Sequence, residues 1–180
     1  MPDSLPEVSV ILPFYNAAAT LQRALDSVQA QSLRNFECLL VNNNSTDGSV
    51  AIALAICQND RRFRLLHESR QGVVYASARA VAHARAPLHC RMDADDQMLP
   101  RRLQLQKNFL NTRSEFGVVA GKVRYVPHHR RTEGFRKYVD WVNSVLGAKE
   151  IALKRFIESP VVNPSAMWRR EVAELYGGYR

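Results

Sequence analysis

Short apolar runs alternate with amphipathic stretches over the first 120 residues. Val8 to Leu12 is a compact β-rich run that ends at Pro13. Behind it Ala17, Leu21, Ala24, Leu25 and Val28 recur at i, i+4, i+7, i+8 and i+11, which is one face of a helix. Phe36 to Val41 predicts a second strand, closed by the polar loop Asn42-Asn43-Asn44-Ser45-Thr46-Asp47-Gly48, and a helix follows from about Ser49 to Cys57. Phe63 to His67 predicts a third strand, and Gly72 opens a turn into an alanine-rich helix reaching about Ala84. Leu88 to Met92 predicts a fourth strand that runs into Asp93-Ala94-Asp95-Asp96. Pro100 suits the start of the next helix, along which lie Leu103, Leu105, Phe109 and Leu110, and Phe116 to Val126 reads as a further strand.

Strands and helices alternating at this spacing predict βαβ units: an α/β three-layer sandwich with a mainly parallel central sheet. In such sheets ligands bind outside the carboxyl ends of the strands. Three unusual polar segments fall there: Phe14-Tyr15-Asn16, the Asn42–Asp47 loop and the Asp93–Asp96 cluster. Internal repeats, low-complexity tracts and a domain linker are all missing, so residues 1–180 read as one domain.

Composition narrows the class. Hydrophobic residues make up 46% of the chain and charged residues 23%, as in ordinary globular proteins. No apolar run approaches the roughly 20 residues of a membrane-spanning helix, and Met1 to Glu7 lacks the pattern of a signal peptide. Cys38, Cys57 and Cys90 show no CxxC spacing and read as reduced core residues of a cytoplasmic protein. The net charge of +8 suits an anionic partner: a diphosphate, acidic lipid headgroups or nucleic acid. Its densest cluster, His128, His129, Arg130 and Arg131 with Arg136 and Lys137, is compatible with peripheral association at the inner face of a membrane or with a solvated loop.

The acidic cluster carries the clearest chemistry. Three carboxylates within four residues repel one another unless a divalent cation relieves them. Bound there, Mg²⁺ or Mn²⁺ neutralises the phosphates of a departing nucleoside diphosphate. The competing reading is an acidic turn that caps the helix near Pro100. Asn42, Asn43 and Asn44 are likewise turn formers, and at a strand end their amides suit hydrogen bonds to a base or ribose.

In order and spacing these segments resemble family 2 glycosyltransferases, which have the GT-A fold. The resemblance runs through Val8-Ser9-Val10-Ile11-Leu12-Pro13-Phe14-Tyr15-Asn16, then Leu21 to Gln31, Phe36-Glu37 and Asn44-Ser45-Thr46-Asp47-Gly48. It continues through Gly72, Asp93-Ala94-Asp95-Asp96, Pro100 and Leu103 to Asn163–Arg170 and Gly177-Gly178-Tyr179. It implies a Rossmann-like GT-A sandwich, a nucleotide-diphospho-sugar donor with a UDP-sugar first in order, Mg²⁺ or Mn²⁺, and inverting transfer to a glycan, lipid-linked or protein hydroxyl. By the same resemblance Pro13, Tyr15 and Asn16 flank the base, Asn42 and Asn43 lie beside base and ribose, Gly72 borders the donor, and Asp93 faces the ribose. Asp95 and Asp96 correspond to the metal and diphosphate end of the family's DxD motif.

The departures are informative too. Many relatives carry aspartate where this chain has Asn42 and Asn43, and a carboxylate there accepts the uracil imide N–H more strongly than an amide. Asn43→Asp is therefore expected to favour uridine. Ser77, Ala78 and Ala80 replace the residues usual on the helix after Gly72. The family's catalytic base is expected beyond Arg180, so the chain reads as truncated, able to bind donor but lacking the acceptor-side base. The absence of GxGxxG after the first strand argues against a dehydrogenase, and no GxxxxGK[ST] is present for a P-loop. A sugar nucleotidyltransferase would want a glycine- and lysine- or arginine-rich loop where Pro13–Ala17 stands. A non-catalytic nucleotide-sugar-binding module is the remaining alternative, and nucleic acid is not the expected partner.

Overall fold

A computed structural model describes residues 5–126 and 133–179. Four parallel strands form its centre: β1 (Val8–Phe14), β2 (Phe36–Asn42), β3 (Phe63–His67) and β4 (Leu88–Arg91). They are connected by the helices α1 (Leu21–Gln29), α2 (Ser49–Asn59) and α3 (Val73–His83). After β4 come α4 (Arg102–Thr112), β5 (Val118–Ala120), α5 (Glu133–Ser144), α6 (Ala148–Lys154), β6 (Ala166–Arg169) and α7 (Arg170–Tyr176). The sheet order is β3-β2-β1-β4-β6-β5, with β6 antiparallel to both of its neighbours. The chain winds outward from β1 through β2 to β3, then returns to place β4 on the other side of β1. The crevice between β1 and β4 is thus a topological switch point.

Every residue of β1 and β2 is buried, as expected of strands covered on both faces. Val8, Val10, Leu12, Cys38, Leu40, Cys90 and Met92 pack beneath α1, α2 and α4 through Leu21, Leu25, Val28, Ile56, Leu103 and Leu110. The opposite face sets Ile11, Leu39 and Val41 against Ala76 and Ala80 of α3. Those small side chains let α3 lie close to the sheet, which accounts for the alanine-rich sequence.

The predicted third strand matches its span, and the other early elements differ by a few residues at their ends. Two differences have clear causes. Ala17 sits in a turn, and α1 begins only at Leu21. The strand expected from Phe116 to Val126 forms only over Val118–Ala120, because β6, its partner among the described residues, is four residues long. Past it, the Asn143 side chain of α5 stands in for a neighbouring strand, accepting from the Val123 N–H at 2.9 Å and donating to the Val123 carbonyl at 2.7 Å. Leu105 lies along α4 as expected and is exposed. The basic run His128–Arg131 lies outside the described residues. Arg136 and Lys137 are exposed on the first turns of α5, Lys137 paired with Glu133 at 3.0 Å. Among the described residues no helix is long and apolar enough to cross a membrane.

At the amino ends of the strands a buried carboxylate ties the sheet to α3. Glu37 accepts from the Ser9 hydroxyl at 2.7 Å, the Arg85 amide at 2.6 Å, and the guanidinium groups of Arg85 (2.9 Å) and Arg64 (3.0 Å). Burial pushes this carboxyl up; the Arg85 amide, the Ser9 hydroxyl and the two arginines outweigh it and hold it below its ordinary 4.5. Glu37→Gln keeps the shape but loses the charged bonds, and is expected to cost about 2 kcal/mol in denaturant unfolding at neutral pH. A folded-state value below the unfolded one gives stability that is present above pH 4.5 and lost as pH falls through the lower value. The deficit of the variant should therefore shrink in acid. A constant deficit across pH would mean that the charge contributes nothing.

Candidate nucleotide and metal site

Three loops meet at the carboxyl ends of β1, β2 and β4, and the first two are tied together by side chains. Asn16, in the left-handed region at φ 46°, accepts the Thr46 N–H on its Oδ1 at 2.8 Å, and its own N–H donates to Ser45 Oγ at 3.1 Å. The Ala17 N–H donates to Ser49 Oγ at 2.8 Å and the Ala18 N–H to Asp47 Oδ2 at 3.0 Å. The Ser49 hydroxyl and the Ala18 amide hold the Asp47 carboxyl below its usual range. Three successive backbone amides after β1 are thereby occupied. A loop that cradles phosphate needs such amides free.

The three asparagines act as a second set of ties. Asn42 Oδ1 accepts the Ser45 N–H at 3.0 Å, and its Nδ2 lies 3.3 Å from His67 Nδ1. Asn43, almost wholly buried, donates both Nδ2 protons, to the carbonyls of Glu68 (2.9 Å) and Arg70 (2.8 Å), and accepts the Gly72 N–H at 2.7 Å. Asn44, at φ 64°, donates to the Ser69 carbonyl at 2.8 Å. These amides zip the loop after β2 to residues 67–72. Gly72 sits at φ 136°, a conformation open to glycine and strained for other residues, and α3 starts immediately behind it. Both polar groups of the Asn43 amide thus bond backbone, while Asn42 bonds backbone through Oδ1 and meets His67 through Nδ2. Tyr15, Gln71, Val73 and Tyr75 are exposed on this rim, Gln71 Oε1 accepting from Asn44 Nδ2 at 3.2 Å and the Arg70 guanidinium lying 4.7 Å above the Tyr75 ring. Arg70 also holds the Glu68 carboxyl down to about 2. Pro13 is buried inside β1.

The third loop brings Asp93, Asp95 and Asp96 together, one carboxylate oxygen from each lying within 4.8 Å of the others. They do not cap the following helix. The N–H of Leu103 in the first turn of α4 is taken at 3.1 Å by Gln31, whose Nε2 donates to the Leu99 carbonyl at 2.9 Å. Pro100 precedes α4 and accepts the Ser32 N–H with its carbonyl at 2.8 Å. Such a gathering of oxygen donors fits Mg²⁺ or Mn²⁺. Burial raises the Asp93 carboxyl, and the neighbouring Arg91 works against that rise. Asp96 is exposed as a residue, but desolvation of its carboxyl by the surrounding turn, followed by the charges of Asp95 and Asp93, pushes it up to about 6.

The sign of the last shift gives a test. A carboxyl raised from 3.8 to about 6 is penalised in the fold when ionised. That penalty is absent below about pH 4, grows through the interval and is complete above pH 6. In metal-free protein, Asp96→Asn should therefore raise stability at pH 7.5 by about 1 kcal/mol, discounted for solvent screening, and change nothing near pH 4. Urea unfolding in EDTA measures it, and a less stable variant at pH 7.5 would contradict the electrostatic account.

Two residues not singled out by chemistry in the sequence border this turn. Arg91, the last residue of β4, pairs with Asp93 at 2.5 Å. Tyr179 packs edge-on against Trp168, and its hydroxyl feels Arg91 and Asp93 while burial pushes its pKa up. Arg91 falls within the strand predicted from Leu88 to Met92, and its pairing shows only in the fold. Tyr179 was visible only as the end of the Gly177-Gly178-Tyr179 segment.

Comparison with known proteins bears on these features. The family model for glycosyl transferase family 2 matches residues 9–177. The putative glycosyltransferase EpsE of Bacillus subtilis is 34% identical over 119 residues, which cover 65% of this chain and 43% of that protein. Among solved structures, the mannosyltransferase PcManGT of Pyrobaculum calidifontis, in complex with GDP-Man and Mn²⁺, superposes with a TM-score of 0.71 at 23% identity. That match covers 98% of this chain and 48% of the other. TarS of S. aureus, residues 1–349 in complex with UDP, gives 0.75 at 17% identity, covering 96% and 49%. The sheet and its helices have the GT-A fold. The chain spans about half the length of these solved structures and less than half of EpsE.

Proposed function

The chain belongs to glycosyl transferase family 2, and from that premise we propose that it forms the donor-binding part of an inverting, metal-dependent sugar transferase. The observation that carries this reading is the acidic trio, held within 4.8 Å at the carboxyl end of β4, beside the crevice between β1 and β4. Asp95 and Asp96 would hold Mg²⁺ or Mn²⁺, which when bound would supply Lewis-acid neutralisation of the leaving diphosphate. Asp93 accepts from the ribose. Tyr15 and the rim at Gln71, Gly72 and Tyr75 border the base and donor, while Asn16, Asn42 and Asn43 hold those loops in place. The donor is a nucleotide-diphospho-sugar, with uridine ahead of guanosine. PcManGT was solved with GDP-Man and TarS with UDP, so both nucleotides belong in the test.

The acceptor is a glycan, lipid-linked or protein hydroxyl. Glu171 and Glu174 stand exposed on α7, Glu171 3.8 Å from Arg169, and neither is assigned the base that takes the acceptor proton. The free thiols of buried Cys38 and Cys90 support a reducing, cytoplasmic setting. A nucleotidyltransferase is disfavoured, because the amides of Asn16, Ala17 and Ala18 are occupied where its phosphate loop would stand. Calorimetric titration of UDP and GDP, each in Mn²⁺ and in EDTA, tests the reading. Binding at least about tenfold tighter in Mn²⁺ is expected for one of them. Equal affinity in EDTA, or no binding of either, would overturn it.

A further inference from the structure

Beneath the acidic turn lies a buried cation that a strand core does not require. Arg91 is 3% exposed. Its Nη1 donates to the carbonyls of Met92 (3.1 Å) and Ile11 (3.4 Å), Nη2 meets Asp93 Oδ1 at 2.5 Å, and Nε has no hydrogen-bond partner. A guanidinium so placed is strongly disfavoured unless a carboxylate offsets it. Asp93 is that carboxylate. The other nearby cation, Arg102, spends its Nη2 on the carbonyls of Arg91 (3.0 Å) and Ala166 (3.4 Å) and its Nε on Gln106 (3.1 Å). Asp95 and Asp96 are exposed, and among the described residues neither is paired with an arginine, so the three acids, adjacent in sequence, are not equivalent.

We propose that Arg91 is a positioning residue that sorts the three carboxylates. It clamps Asp93 by one oxygen and offsets its charge, which withdraws Asp93 from the cation and leaves Asp95 and Asp96 to hold it. The second oxygen of Asp93 remains as a fixed acceptor for the neutral hydroxyls of a nucleotide, since an acceptor already balanced by a cation suits hydroxyl donors better than a second positive charge. This rests on the donor-binding reading above and adds to it the residue that divides the labour among the acids.

The test is a double-mutant cycle between Arg91 and Asp93 on the whole chain, read by the affinity for Mn²⁺ alone and by the affinity for UDP or GDP at saturating Mn²⁺. Arg91→Met frees Asp93 to join the metal site. It is expected to tighten Mn²⁺ alone about fivefold and to weaken the nucleoside diphosphate by at least about tenfold, the scale of lost outer-shell partners. In an Asp93→Asn background the same substitution should move each affinity by less than about twofold. Arg91→Gln, which loses the charge and keeps a donor for the Ile11 carbonyl, is run beside it and should give the same signs if the methionine variant does not fold. A residue that only packs would weaken metal and nucleotide by like factors in both backgrounds, and that result overturns the proposal. So does a gain in Mn²⁺ affinity that persists with Asn at 93, because the effect would then be the bare removal of a charge. If the parent binds neither nucleotide with Mn²⁺, the donor-binding reading fails, and the arm with Mn²⁺ alone still decides whether Arg91 sorts the acids.

Discussion

Replacing Asp95 and Asp96 together by alanine leaves a folded chain whose binding of UDP or GDP no longer responds to Mn²⁺. The expected loss of affinity in Mn²⁺ is at least about a hundredfold, because both unpaired carboxylates of the trio go at once and the diphosphate loses the ion that neutralises it. Stability in EDTA should hold or rise. Neither residue caps α4, whose first-turn Leu103 N–H is held by Gln31, and Asp96 is penalised as an anion in the metal-free fold. Calorimetry and urea unfolding on one preparation read both quantities. Undiminished binding in excess Mn²⁺ would reduce the cluster to a surface turn. Asp93→Asn should behave differently, since it leaves Arg91 buried without its carboxylate and unfolds at lower urea.

The second large effect is at Asn43. Asn43→Ala strands two carbonyls, those of Glu68 and Arg70, and the N–H of Gly72. Three hydrogen bonds, one buried and two part-buried, at about 1 kcal/mol each put the cost at about 3 kcal/mol in denaturant unfolding, with the rim at residues 67–72 released from the loop after β2. Asn43→Asp keeps an acceptor for Gly72 but turns a carboxylate oxygen toward two carbonyl oxygens. It should cost a similar amount and leave the ratio of UDP to GDP affinity little changed. An aspartate variant as stable as the parent, with a clear shift toward UDP, would restore the role in base recognition that the sequence suggests for this position.

That contrast shows how far the chain could be read. The periodicities located the four parallel strands and the helices between them, because β1 and β2 are buried on both faces and α1 has a sharp apolar stripe. The acidic turn was legible for a similar reason: repulsion among adjacent carboxylates is a local property. Hydrogen-bond partners far along the chain were not. Asn16, Asn42 and Asn43 have the composition of a binding loop, and only the fold shows that their amides are committed to Ser45, Thr46, Glu68, Arg70 and Gly72. Arg91 was missed because its partner lies two residues on, in a cluster already explained by a metal. The short span of β5 was missed because strand length depends on the neighbour as much as on the segment's own residues.

The ties between the first two loops set the smallest unit that can be transplanted. Exchanging residues 14–18 for those of another transferase would leave Ser45, Thr46, Asp47 and Ser49 facing a foreign backbone, with the donors and acceptors now matched to Asn16, Ala17 and Ala18 stranded. Exchanging 42–49 alone would do the same from the other side and would also detach residues 67–72. An attempt to change nucleotide preference by grafting should therefore move all three segments as one cassette, while the acidic turn, hung from Arg91 on a different strand, can stay behind.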